Sequence, residues 1–264
     1  MNRARTPLVA GNWKMHHGGA SGVELAEKIA ERASSTIGVE VVVAPPFTAL
    51  AAIAHAVEEV AQKRGRAPIG VSAQNLYPEP KGAFTGEVSA PMLVEAGCRW
   101  VIVGHSERRQ ILGESDELVA RKTAAAIAGK LHPIVCVGET LDERAAGKTL
   151  DVVLRQLRAT LDAIASAKGA AVVAYEPVWA IGTGKVATPS DAQEVHAAIR
   201  SELRARDPRL AELTRILYGG SVKADNARDL LGQPDLDGAL VGGASLDVDG
   251  FVGILQHAQA LLAP

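Results

Sequence analysis

Short apolar runs rich in β-branched residues alternate along this chain with longer segments whose apolar positions recur at helical spacing. The runs are Leu8 to Gly11, Val41 to Ala44, Ile69 to Ala73, Trp100 to Val103, Ile134 to Val137, Val172 to Tyr175, Arg215 to Tyr218 and Ala239 to Val241. They recur every thirty residues or so, about the length of a strand plus a crossover helix, and read as eight strands. Between them, Leu150, Val153, Leu154, Leu157, Leu161 and Ile164 fall on one helical face, as do Val195, Ile199 and Leu203. Capping-box spacings at Ser21 with Glu24 and at Thr140 with Glu143 predict helix starts, and Thr188-Pro189 reads as an N-cap followed by a first-turn proline. Strands alternating with helices require a parallel sheet, because each connection crosses back over the sheet, and continuously apolar strands are buried on both faces. Eight such units fit a closed α/β architecture, a (β/α)8 barrel with a parallel eight-stranded sheet. An open doubly wound sheet satisfies the same periodicity. No Ser/Pro-rich linker interrupts the pattern, so one domain is expected over residues 1–264.

Composition narrows the partners. The 28 basic and 30 acidic residues nearly balance, and the densest basic cluster, Lys63-Arg64-Gly65-Arg66, is too short for a nucleic-acid footprint. A small anionic ligand stays compatible with that charge; nucleic acid does not. The two cysteines, Cys98 and Cys136, lack metal-ligand spacing and are too few for a disulfide framework, which favours a reducing compartment. No apolar run has signal-peptide or membrane-spanning length. A cytoplasmic location without a membrane partner is the resulting expectation.

Candidate chemistry gathers at the C-terminal ends of the predicted strands: Asn12 and Lys14, Gln74, His105, Glu176, Gly219-Gly220-Ser221 and Gly242-Gly243. In a barrel these converge on the face where such folds place active sites, with phosphate commonly held by the loops after strands seven and eight. Either glycine pair alone reads as a tight turn. Two on adjacent strands point to backbone amides that can approach an anion. Glu176 ends an apolar strand, its backbone biased to extended geometry by Pro177, and is followed by a glycine-hinged loop, Pro177, Val178, Trp179, Ala180, Ile181, Gly182, Thr183, Gly184 and Lys185. That arrangement is a base with a lid. Lys14 follows Trp13 at the mouth of strand one, where an ammonium can neutralise a phosphate. His105 sits at a strand-to-helix turn, where helix amides disfavour the imidazolium and keep it a neutral donor.

Other groups read more plainly. Glu107, Arg108 and Arg109 are expected as structural ion-pair partners, with Glu107 a weaker candidate for the site, and Cys136 as a packing residue. His16-His17 lacks metal-site neighbours, and the pairs Asp235 with Asp237 and Asp247 with Asp249 read as solvated surface. No CxxC or HExxH motif occurs, so metal-free chemistry is expected. The 75–89 segment is a long loop carrying aromatic residues, and long ordered loops usually serve a function.

Seven blocks then resemble the signature segments of triosephosphate isomerases: Ala10 to Met15, Ala73-Gln74-Asn75, Gly82 to Glu87, Val103 to Arg109, Ala174 to Lys185, Tyr218 to Val222 and Gly242-Gly243-Ala244. They run in order from residue 10 to about 244. The resemblance implies interconversion of dihydroxyacetone phosphate and glyceraldehyde 3-phosphate through an enediolate, without a cofactor. It implies Glu176 as the base, His105 as the donor to the developing oxyanion, and Lys14 with Asn12 as substrate-binding and charge-stabilising groups. Gly182, Ser221, Gly242 and Gly243 would hold the phosphate through backbone amides. It also implies a homodimer in which Thr85, on the 75–89 loop, reaches the partner near Asn12. The pairing of a glutamate base with a neutral, helix-tuned histidine is the known pattern of that family. Two rival readings are a non-catalytic phosphate-binding barrel and another phosphosugar barrel enzyme; neither needs Glu176 and His105 together.

Overall fold

A computed structural model describes residues 5–181 and 187–262. Eight strands form a closed parallel barrel in sequence order: β1 Leu8–Asn12, β2 Glu40–Ala44, β3 Gly70–Ala73, β4 Trp100–Val103, β5 His132–Val137, β6 Val172–Tyr175, β7 Arg215–Tyr218 and β8 Gly238–Val241. Closure is direct, with Leu8 to Gly11 in register against Gly238 to Val241. The open-sheet alternative is thereby excluded. The helices among the described residues are α1 Ala20–Ala33, α2 Leu50–Arg64, α3 Ala90–Glu95, α4 Ser106–Gln110, α5 Asp116–Ala128, α6 Leu141–Ala145, α7 Thr149–Ser166, α8 Pro189–Arg206, α9 Pro208–Leu213, α10 Ala224–Leu231 and α11 Val248–Ala260. None of them is long and apolar enough to cross a membrane.

The strand alternation builds two cores. Leu8, Ala10, Val42, Ala44, Trp100, Ile102, Ile134, Cys136, Val172, Ala174, Leu217 and Leu240 fill the barrel interior. Their neighbours on the strands, among them Val9, Val43, Val101, Val135 and Val173, pack outward with apolar faces of the helices such as Val153, Leu157 and Ile164 of α7. This phase decides where functional side chains go. Asn12, Gln74 and Glu176 continue the inward-facing parity of β1, β3 and β6 at or just past the strand ends, so they point into the barrel mouth.

Two local expectations change. Thr140 and Thr188 form the predicted caps, each accepting from the third residue of its helix. At α1, however, the helix begins at Ala20 behind Gly19 and Ser21 makes no cap hydrogen bond, so the Ser21 to Glu24 spacing does not mark the start. Asp237 is also not solvated. It is fully buried, accepting from Arg5 Nε at 2.8 Å, from the Ile216 amide at 2.9 Å and from Arg200 Nη2, where β8 closes against β1. Its charge is satisfied by residues distant along the chain, a pairing that alternation with Asp235 could not reveal.

Candidate active site

The strand ends enclose a cavity of about 640 Å³ lined by Asn12, Lys14, His105, Glu176, Gly219, Gly220, Ser221, Gly242 and Gly243, together with Ile181 of the predicted lid. Asn12, Lys14, His105, Glu176, Ser221, Gly242 and Gly243 are therefore brought together as the sequence predicts. Gly182, Thr183, Gly184 and Lys185 lie outside the described residues. Another cavity, of about 490 Å³, opens at the opposite end of the barrel beside Arg5, Glu40 and Arg215; its cations are paired, Arg5 with Asp237 and Arg215 with Glu40.

Glu176 and His105 face each other inside the mouth, with His105 Nε2 2.9 Å from Glu176 Oε1. The other carboxylate oxygen accepts from the Ser106 amide at 2.9 Å, and the Ser106 hydroxyl lies 3.3 Å from Oε1. Room for this carboxylate depends on Gly219, where a Cβ would stand 2.8 Å from Glu176 Cγ. Burial pushes the Glu176 pKa up, but His105, the Ser106 amide and the Cys136 thiol push harder the other way and hold it below the ordinary carboxylate value. The glutamate is thus a docked, ionised carboxylate.

His105 caps α4, with Nδ1 accepting from the Glu107 amide at 3.2 Å. That hydrogen bond leaves the proton on Nε2, the nitrogen facing Glu176. Helix α4 spans only Ser106–Gln110, so a single amide fixes the tautomer rather than the dipole of a long helix. Burial lowers the His105 pKa, yet the Glu176 carboxylate and Glu107 outweigh it and Lys14, so beside Glu176 the imidazole is raised above its ordinary value. Were Glu176 to move away, its raising influence would go with it and the lowering effects of burial and Lys14 would gain ground. The same separation would strip from Glu176 the contacts that keep it weakly basic.

Lys14 adopts left-handed backbone at φ +50. Its amide donates to Asn12 Oδ1 at 3.0 Å, and its carbonyl accepts from Gln74 Nε2 at 2.8 Å. Its ammonium pairs with Glu107 Oε1 at 2.6 Å, and its Cε lies 3.6 Å from where a Gly242 Cβ would stand. The lysine head therefore borders the glycine loops. Among the described residues the amides of Gly220, Ser221 and Gly243 donate no backbone hydrogen bond, and all three residues line the cavity beside a cation, where free N–H groups can serve an anion. Beyond Val241 a 3-10 turn, Gly243–Leu246, comes first and α11 starts only at Val248, so no long helix begins at these amides.

Sequence reasoning missed Ser106 as the dock for Glu176, and missed that Cys136, packed in the barrel as expected, lies near enough to influence that carboxylate's pKa. Glu107 does form an ion pair, but with Lys14. The start of the predicted lid segment is anchored by Glu139, a buried carboxylate that accepts from Tyr175 Oη at 3.1 Å and Trp179 Nε1 at 2.9 Å, while the Arg144 guanidinium stacks 4.3 Å from the Trp179 ring. His16 lines the cavity too. These are contacts between segments far apart in the chain. Thr85 does not line the cavity; it sits at the exposed tip of its loop.

Fold and site together define a barrel enzyme with a paired carboxylate and imidazole beside two glycine-rich loops. The family model for triosephosphate isomerase matches residues 7–258. Triosephosphate isomerases from Chloroflexus aurantiacus and Alcanivorax borkumensis are 52% and 53% identical to this chain, over 96% and 97% of it and 99% of their own lengths. That from Rhodopirellula baltica is 51% identical over 97% of this chain and 98% of its own. The chain belongs to the triosephosphate isomerase family.

Proposed function

We propose that this chain interconverts dihydroxyacetone phosphate and D-glyceraldehyde 3-phosphate, serving glycolysis and gluconeogenesis, with Glu176 as the base. Glu176 takes a proton from the carbon next to the carbonyl while His105 Nε2–H donates to the carbonyl oxygen as it becomes an oxyanion. The resulting enediolate receives the proton back from Glu176 on the neighbouring carbon, and the hydroxyl proton returns through His105, so the reaction conserves atoms and charge. Asn12 and the Lys14 ammonium stabilise the negative charge. The amides of Ser221, Gly242 and Gly243, with Gly182, hold the phosphate. The observation that carries this reading is the 2.9 Å contact between Glu176 and His105 within a cavity bordered by Lys14 and the glycine loops.

A general base supplies roughly 10²–10⁴ in rate and one oxyanion donor about 2.7–4 kcal/mol, together at the low end of the ~8–23 kcal/mol by which enzymes lower barriers. Binding of the unreactive phosphate supplies the rest, drawing the Pro177 to Lys185 loop over the site and releasing Glu176 from Ser106. A chelator-treated assay with triose phosphates, run beside Glu176→Gln, tests this. Turnover in the parent and near-complete loss in the variant are expected; equal turnover would remove Glu176 as the base.

Residues 1–264 act as one domain in a cytoplasmic homodimer. Met15 is 94% exposed and Ile111 76%, and with Phe47 and Phe84 they leave apolar side chains on the loops after β1, β2, β3 and β4, four consecutive strands and so one arc of the mouth. A second copy covering that arc, with Thr85 near the partner's Asn12 region, accounts for it. Sedimentation should give a dimer, and Phe84→Glu should shift it toward monomer. A fully active monomer at micromolar concentration would contradict the pairing.

A further inference from the structure

The polar contacts around Lys14 and His105 continue behind the cavity wall. Left-handed backbone at a lysine is strained and persists only where its surroundings fix it. Gln74 supplies part of that hold through the Lys14 carbonyl. The next residue, Asn75, accepts from Lys122 Nζ at 2.7 Å, and the same ammonium lies 2.5 Å from Glu114 Oε1. That oxygen also accepts from Arg108 Nε. Arg108 stands in α4 next to Glu107, whose carboxylate holds the Lys14 ammonium and whose amide fixes the His105 tautomer. The contacts close into a ring running from Lys14 through Gln74, Asn75, Lys122, Glu114, Arg108 and Glu107 back to Lys14.

Lys122, on α5, is the far node of this ring. It is 3% exposed and, like Glu114, Asn75 and Arg108, does not line the cavity. The cluster is a poor design for stability. Two cations share one oxygen of one carboxylate, while Glu114 Oε2 is buried with no donor among the described residues. Burial pushes the Lys122 pKa down, against the pull of Glu114. Packed apolar side chains of similar volume often match or exceed the stability of such a buried ion cluster. Position is what an apolar replacement would not supply.

We propose that Lys122 is a positioning residue, which holds the Lys14 loop and the His105 turn at a fixed separation by clamping Asn75 to Glu114. The proposal rests on Lys14 and His105 acting on the substrate as described above.

Two variants test it from either side of the clamp: Lys122→Met removes the ammonium, and Asn75→Ala removes its link to the Lys14 loop without leaving a charge unpaired. Val153→Ala, in the remote core of α7, serves as a control for lost stability. Displacing reacting groups by about 1 Å can cost on the order of 10²-fold. The expected result for Lys122→Met is therefore a fall in kcat of roughly 10- to 100-fold at 25 °C per folded molecule. Asn75→Ala should fall in the same direction by less, while Val153→Ala lowers Tm and keeps the parental kcat. The losses should not recover as protein concentration is raised. Parental kcat in either folded variant overturns the proposal, as does recovery at high concentration, which would trace the loss to subunit dissociation. Should Lys122→Met not fold, Asn75→Ala alone decides. An inactive parent would instead sink the functional reading, and a parent that is active while both variants match it sinks only the clamp.

Discussion

Replacing Asp237 by Asn removes one charge and one acceptor from a site with no access to water. The carboxylate accepts three donors, Arg5 Nε, Arg200 Nη2 and the Ile216 amide, and ties the residue before β8 to the segment before β1, to α8 and to β7. An asparagine keeps one oxygen and turns an NH2 toward groups that can only donate. Arg200 retains Asp235 at 3.4 Å, whereas Arg5 has no second carboxylate among the ion pairs of the described residues. Breaking a buried pair by removing one partner costs about 3–5 kcal/mol. Against a total stability of about 5–15 kcal/mol that is a large share. At about 2–4 °C per kcal/mol for a chain somewhat smaller than this one, Tm should drop by roughly 6–20 °C. Equilibrium unfolding in urea and a thermal scan measure it. Because the network lies at the end of the barrel opposite the site, kcat at 25 °C should stay near the parental value. A stability loss below about 1 kcal/mol, the scale of an exposed pair, would refute the claim that this network closes the barrel.

Three other outcomes are expected. Glu176→Asp draws the carboxylate back by one methylene, roughly 1.5 Å, so kcat should fall on the order of 10²-fold or more while inorganic phosphate binds as before; wild-type turnover would exclude Glu176 as the base. Gly242→Val should fold normally, since a Cβ there meets nothing closer than Lys14 Cε at 3.6 Å, yet it should weaken inhibition by inorganic phosphate; unchanged inhibition would place the cradle elsewhere. His196 is fully buried, and that burial lowers its pKa from 6.5 to about 3. The unfolded chain then takes up a proton that the folded one refuses, so stability is intact above pH 6.5 and is lost as pH falls toward 3, by up to about 1.4 kcal/mol per pH unit. Denaturation midpoints between pH 7 and 4 should show this slope and lose it in His196→Gln; an identical slope in both would assign it to other groups.

Much of the barrel was legible because buried parallel strands are continuously apolar, and the runs beginning at Trp100, Val172 and Arg215 coincide with β4, β6 and β7. The limits slipped where a strand begins with a polar residue or a proline, as at Glu40 and at His132-Pro133, because pairing with neighbouring strands overrides the local signal there. Lys14, His105, Glu176 and the glycine loops could be found because strand ends and turn chemistry mark them locally. Ser106, Glu139 and the burial of Asp237 could not, because each is defined by a partner dozens of residues away or more. Ser21 with Glu24 is the converse case, a local motif beside a real helix start whose serine lies one residue inside the helix and caps nothing.

In the proposed mechanism Glu176 moves a carbon-bound proton while a cradle of amides holds the phosphate. Deuterium uptake at carbon from D2O, followed by NMR on triose phosphate turning over with the parent and with Glu176→Gln, tests it most directly, with inorganic phosphate affinity measured on both. Exchange in the parent, its loss in the variant and similar phosphate affinity in the two are the expected results for this mechanism. Exchange at the parental rate in Glu176→Gln would contradict it.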